Sequence, residues 1–288
     1  MLSIDPTVGA SRSYRFEASH TSGLDPSILG IKESKIHGHN FKLEVNTVNR
    51  TLKNTGLSVD LNDLDEFVNK ITKGLDHKNL TSEYFDLDLP ITHEFLTCYI
   101  SDRILSALEY VKMISLTTGV EACYPSKNGW SPHKVYTYGG IFMKHKIYSE
   151  RSYQFSASHK LYNNRLSQEK NNKLYGKCTN LHGHDYTLFV TVSGIPNRKT
   201  GLIVSYRKLD RIVNQIIKKL DCKILGDCGF LKGIIPTSEN IIMAIWKELK
   251  DKIDTRLVGT PSSGYDIELH EITLQETSRN FFTYRGGK

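Results

Sequence analysis

Apolar and polar residues alternate through KLEVNTV (residues 42–48) and DYTLFVTV (185–192), so these segments read as strands whose successive side chains face opposite ways. DLNDLDEFVNKITKGLD and SYRKLDRIVNQIIKKLD place apolar residues at helical spacing, with Asp60 and Ser205 positioned as N-caps. THEFLTCYISDRILSALEY and TSENIIMAIWKELKDKI predict a second pair of helices, each opened by a threonine with glutamate two residues on. Further strands close each half, VYTYGG in one and FFTYRGG in the other. The pattern predicts two strands, two helices and two strands, twice over: an α+β chain in which each half is a four-stranded antiparallel sheet with two helices on one face.

The resemblance between the halves extends to the letters. YRFEASH (Tyr14 to His20) returns as YQFSASH (Tyr153 to His159), and IHGHN (Ile36 to Asn40) returns as LHGHD (Leu181 to Asp185). From there the halves keep one register, Leu75-Asp76 matching Leu220-Asp221 and Thr92-His93-Glu94 matching Thr237-Ser238-Glu239. A constant offset through separate motifs marks a tandem duplication. The register breaks late, where the first repeat has extra residues around YPSKNGWSPH and the second around RLVGTPSSGYD. The expected domains are 1–142 and 143–288.

The repeats carry a shared constellation of histidines: His20, His37 and His39 in the first, His159, His182 and His184 in the second. Two histidines at i and i+2 on a strand share a face, and a third at the end of a neighbouring strand completes three nitrogens around one point. Three neutral imidazoles with a fourth position open is the donor set of catalytic zinc. Up to two Zn²⁺ per chain are expected.

Composition narrows the setting. With 288 residues, 39% hydrophobic and 24% charged, the chain is long enough for two domains with their own cores. No apolar run approaches the roughly 18 residues of a membrane span, and the first residues carry no secretory pattern, so membrane partners are not expected and a cytoplasmic location is. Five scattered cysteines do not form a disulfide framework. The net charge of +7 is spread without a basic tract, which argues against nucleic acid and suits a small polyphosphate anion.

FSASH, LYGKC-TNL-HGH, LDHKNL, PTSEN and a late strand with ET together resemble the 6-pyruvoyltetrahydropterin synthase / 6-carboxytetrahydropterin synthase family, over nearly the whole of both repeats. The resemblance implies the tunnelling fold, whose domains associate into a β-barrel, here as a homo-oligomer of two or three tandem chains with active sites at the seams. It also implies a zinc-dependent lyase acting on 7,8-dihydroneopterin triphosphate. Carried over residue by residue, neither repeat has a full set. The second has the base Cys178, four residues before His182, the pterin anchor Glu276, and the substrate-binding Thr237 and Glu239, but Asp221 is followed by Cys222. The first has the Asp76-His77 pair, but Glu33 stands at the base position and Thr117 at the anchor. The expectation is one working site, shared between an N-type and a C-type domain, that uses Cys178, His77 and Asp76 as catalytic residues. Lys177 and a divalent ion are positive charges that favour the thiolate of Cys178. The three residues between Cys178 and HGH resemble the 6-carboxytetrahydropterin synthases of queuosine biosynthesis, which implies 6-carboxytetrahydropterin, acetaldehyde and triphosphate as products. The 6-pyruvoyl reaction and a non-catalytic zinc or pterin-binding scaffold are the alternatives.

Overall fold

The computed structural model describes residues 7–29, 34–50, 55–84, 90–118, 133–138, 146–197, 199–256 and 267–287. The expected boundary at 142/143, both late insertions apart from their edges, and Glu33 lie outside the described residues. The chain divides into two compact units, the first formed by 1–149 with 193–207 and 261–266, the second by 150–192, 208–260 and 267–288. A segment that follows the second repeat's hairpin therefore packs as part of the first unit.

In the first unit, β1 (Thr7–His20) and β2 (His37–Arg50) form a long antiparallel hairpin, and the strand order runs β5 (His133–Tyr138), β4 (Val111–Thr118), β2, β1, β3 (Lys78–Asn79). Between β1 and β2 lies the short helix α1 (Pro26–Leu29). The other helices are α2 (Leu61–Leu75) and α3 (His93–Ala107). Tyr14, Phe16 and Ala18 of β1 and Phe41, Leu43 and Val45 of β2 form one buried cluster with Leu64, Val68 and Leu75 of α2 and Phe95, Leu96, Ile100 and Ile104 of α3. Both helices therefore cover the same face of the sheet. Asp60 caps α2 by accepting from the Asn62 amide, and Thr92 caps α3 by accepting from the Phe95 amide, as the sequence predicts.

The second unit repeats the plan. β6 (Ile147–His159) leads through α4 (Gln168–Tyr175) and a 3₁₀ turn (Gly176–Thr179) into β7 (His182–Gly194). After these come α5 (Tyr206–Leu220), β8 (Lys223–Ile224), α6 (Ser238–Arg256), β9 (Glu268–Thr277) and β10 (Asn280–Tyr284). The strand order is β10, β9, β7, β6, with β8 beside β6.

Two features depart from the sequence reading. The sheets are not purely antiparallel, because β3 runs parallel to β1 and β8 parallel to β6. These two-residue strands carry too little pattern to be read from letters. Ser205, expected as the cap of α5, turns its hydroxyl instead to the carbonyl of Ile28, 2.5 Å away.

The same strand-to-helix clasp appears in both units. Arg12 and Tyr14 of β1 converge on Asp65 of α2, the tyrosine hydroxyl at 2.9 Å and the guanidinium through Nε at 3.0 Å. Arg151 and Tyr153 of β6 converge likewise on Asp210 of α5, at 2.9 and 2.8 Å.

Candidate metal centres and active site

The buried row of β1 runs Tyr14, Phe16, Ala18, His20, and the row of β2 that faces the core runs His37, His39, Phe41, Leu43. The histidines are thus the polar end of a hydrophobic stripe, and period-two alternation aims them at one point. Register completes the convergence, since His20 pairs directly with His37 and Ala18 with His39. Ring centroids of His20 lie 4.6 Å from His37 and 5.2 Å from His39. In the second unit His159 lies 4.6 Å from His182 and 5.2 Å from His184.

The glycine between the histidines of the second pair has a steric reason. A Cβ on Gly183 would meet the carbonyl oxygen of Ala157 at 3.1 Å, so the strands close behind the histidines only if that residue has no side chain.

Backbone carbonyls orient the rings. Nδ1 of His20 faces Ile91 O at 2.6 Å, and Nδ1 of His159 faces Pro236 O at 2.8 Å. Nδ1 of His37 faces Lys35 O at 2.7 Å and that of His182 faces Asn180 O at 2.9 Å. A carbonyl only accepts, so each Nδ1 carries the proton and each Nε2 presents its lone pair to the centre. Nε2 of His20, His37 and His159 is buried and makes no hydrogen bond. Burial first, then the neighbouring imidazoles, pull His20 down to about 4 and His39 to about 3, and burial also lowers His159. Neutral, pre-oriented imidazoles with buried lone pairs fit a divalent metal ion. In the second unit His159, His182 and His184 each place a nitrogen within 4.8 Å of the others.

Of the expected residues, Glu276 stands at that second centre. Glu276 sets one carboxylate oxygen 3.8 Å from His159 Nε2 and 3.9 Å from His184 Nε2. That same oxygen accepts from Ser238 Oγ at 2.8 Å, while Asn280 Nδ2 holds the other at 3.2 Å. Cys178 sits half-buried on the 3₁₀ turn, its carbonyl accepting from the Leu161 amide at 2.8 Å, which ties the turn two residues past His159. Thr237 precedes α6, its hydroxyl accepting from the Asn240 amide at 3.4 Å, and Glu239 is exposed in the first turn of α6. A cleft of ≈ 400 Å³ lies alongside, lined by Ser156, Ala157, Ser158, Gly183, His184, Asp185 and Cys222.

These features coincide with a match to known sequences: the 6-pyruvoyl tetrahydropterin synthase family fits residues 10–122 and again 148–287. The chain belongs to that family. Among its relatives, the 6-pyruvoyl tetrahydrobiopterin synthase of Dictyostelium discoideum is 36% identical over 146 residues, 50% of this chain and 99% of that protein. The human enzyme of the same name is 35% identical over 140 residues, 47% of this chain and 89% of that one. A protein of Archaeoglobus fulgidus named as a 6-carboxy-5,6,7,8-tetrahydropterin synthase is 37% identical over 76 residues, 26% of this chain and 62% of that one. The solved Caenorhabditis elegans 6-pyruvoyl tetrahydropterin synthase aligns at 30% identity and TM-score 0.44, covering 51% of this chain and all of that one.

In the first unit Asp76 and His77 lie together, Nδ1 of His77 being 3.0 Å from the Asp76 carboxylate, with the histidine side chain 76% exposed. The other Asp76 oxygen accepts from the Glu17 amide at 2.8 Å, and that bond, then His77, holds Asp76 below the usual carboxylate range. His77 has φ 55°, and Cys222, its counterpart, φ 56°.

Three residues at the centres escaped the sequence reading. Ser238 holds Glu276. Tyr186, stacked on Phe155 at 5.0 Å, buries its hydroxyl beside the second centre, where burial and then Glu276 push its ionisation up. His93 of α3 enters the first centre, its ring 4.9 Å from His39 and 5.6 Å from His20. A signal for the last was present, since His93 breaks the Thr-Ser-Glu of the second repeat.

Proposed function

We propose that the chain is a zinc-dependent lyase acting on 7,8-dihydroneopterin triphosphate, with its reaction centre on His159, His182 and His184. The carrying observation is the asymmetry of the second centre: three imidazole nitrogens converge from one side, and a carboxylate fixed by Ser238 and Asn280 stands at the other. Such a carboxylate can accept paired N–H donors of a pterin ring, which sets the ring's side chain over the nitrogens. Zinc held there would supply Lewis acidity toward a side-chain oxygen. Cys178 takes the proton from the adjacent carbon, and Asp76 with His77 relays protons, the aspartate holding the ring by its 3.0 Å contact. Thr237 and Glu239, flanking Ser238, contact the substrate. Loss of triphosphate makes the elimination irreversible.

For the product, relatives matched over 99% and 89% of their lengths bear the 6-pyruvoyl name, and the 6-carboxy relative is matched over 62%. We therefore place 6-pyruvoyltetrahydropterin first. The spacing of three residues after Cys178 favours 6-carboxytetrahydropterin as the second reading. Assembly as a barrel-forming homo-oligomer of two or three chains belongs to the same proposal.

The test is incubation of the zinc-loaded protein with the triphosphate substrate, followed by mass identification of the pterin. Either product at a rate falling at least about 10²-fold in Cys178→Ala, with metal content unchanged, supports the assignment. Full activity in that variant removes Cys178 as base, and absence of turnover in the wild type overturns the lyase.

A further inference from the structure

The first centre is not a copy of the second. Around His159, His182 and His184, the side facing the three nitrogens is occupied by Ser238 and Glu276. At the matching positions the first repeat has His93 and Thr118, an imidazole in place of a hydroxyl and a hydroxyl in place of a carboxylate; Thr117, expected from sequence at the anchor, pairs with Lys42 on the opposite face of the sheet, whereas Thr118 pairs with Phe41 on the histidine face. Nitrogens of His20, His39 and His93 lie within 4.8 Å of one another, and the ring of His37 is 4.6 Å from His20 and 4.8 Å from His39. Three imidazoles therefore share one point, and the ring of His37 stands beside two of them.

His93 is held there by more than its own ring. It is the first residue of α3, and the residues on both sides are fastened to the segment 193–207 within the same unit. Thr92 donates its hydroxyl to Gly201 O at 2.7 Å, and Tyr206 donates to the buried Glu94 carboxylate at 2.5 Å. Gly201, at φ +65°, permits the approach, since a Cβ there would meet the Thr92 hydroxyl at 2.9 Å. The helix end cannot swing aside without breaking both bonds.

We propose that His93 is a fourth ligand, and that the first repeat holds a closed four-nitrogen divalent-cation site with no position left for substrate. Four protein donors in tetrahedral array characterise structural sites, whereas catalytic sites leave one position to water or substrate. On this reading the duplicated chain keeps one open centre for chemistry and has turned the other into a clamp joining β1, β2 and α3. The inference rests on metal binding by the histidines but not on the lyase assignment.

The experiment isolates the first site in the full chain by His182→Ala with His184→Ala, loads it with cobalt(II), and reads the visible d–d absorption with and without azide. One cobalt per chain with a spectrum indifferent to azide is expected. Adding His93→Ser should open the site, so that azide now changes the spectrum and chelator competition shows affinity weakened by at least about tenfold. His93→Gln repeats the measurement should the serine variant fail to fold. An azide-sensitive parent, a His93 variant with the parent's spectrum and affinity, or absence of cobalt from the first site would each overturn the proposal. Turnover of the unmodified protein tests the lyase reading separately.

Discussion

At the scale of single residues, Asp65 shows how local chemistry sets pH dependence. Arg12 donates to its carboxylate and holds it below the ordinary 3.8, with the Tyr14 hydroxyl adding to the effect. A carboxyl whose folded value is depressed adds stability above its unfolded value and loses it as pH falls through the folded one. Asp65→Asn should therefore lower the melting temperature modestly at pH 7, as befits a solvent-exposed pair, and the gap to wild type should close as the pH drops past 3.8. Melting curves across that range check the sign; a gap that widens in acid would contradict it. How far single residues were legible depended on context. The six histidines announced themselves because they fall twice at strand spacing. Ser238 and Tyr186 did not, because serine and tyrosine on buried faces are common and their meaning comes from Glu276, which lies 38 residues from the one and 90 from the other in sequence.

At the scale of elements, the loop between β6 and β7 explains how a cysteine outside regular strand structure can be placed. Asn171 of α4 is fully buried; its amide nitrogen donates to the carbonyls of Asn163, Leu166 and Ser167 at 3.0, 3.2 and 3.1 Å. Its oxygen accepts from the Asn163 amide at 2.8 Å. One side chain thus staples the excursion that ends at Cys178. Asn171→Ala takes the partner from the Asn163 amide and the Leu166 carbonyl, while Asn163 O keeps the Leu166 amide and Ser167 O the Asn171 amide, and should cost about 1–3 kcal/mol for each of the two groups that water cannot reach. Turnover should fall while the histidine centre keeps its metal, since none of its ligands lies on the loop. Urea unfolding and metal analysis of the variant test both halves of this expectation. The hydrophobic periodicity made α2, α3, α5 and α6 legible, and the capping residues Asp60 and Thr92 marked two of their starts. The short helix α4 is polar almost throughout and offered no stripe to read. Ser205 was misjudged because its carbonyl partner, Ile28, is 177 residues away in sequence.

At the scale of the whole molecule, the proposals above give the two histidine centres different duties, and metal removal should separate them. We expect two ions per chain, released by chelator in a fast and a slow phase, the slow one from the four-histidine site. If the ion is present at about 100 times its dissociation constant, it adds about 2.7 kcal/mol to the folded state. Stripping it should then lower the melting temperature by roughly 5–10 °C. Calorimetry of the metal-free and reloaded protein checks this, and equal melting temperatures would mean that the ions hold nothing together. The repeat and the α+β class were readable at this scale because they are written in periodicity and recurrence. The assignment of 193–207 to the first unit was not, since it depends on bonds such as Ser205 to Ile28 and Tyr206 to Glu94, which span 177 and 112 residues of sequence.

The left-handed residue after the turn aspartate of each repeat, His77 in one and Cys222 in the other, separates what a backbone does from what its side chain does. Both amides reach the neighbouring strand at 2.6 Å, to Glu17 O and Ser156 O, and both preceding aspartates accept from the same two residues, at 2.8 and 2.9 Å. A positive φ costs a residue with a Cβ on the order of 1–2 kcal/mol, whatever stands beyond that carbon. The second repeat thus bears the expense of presenting a histidine while presenting a thiol. Its main chain is a pedestal of the same shape as the one on which the other copy displays His77, and a histidine placed at position 222 would find its seat already built.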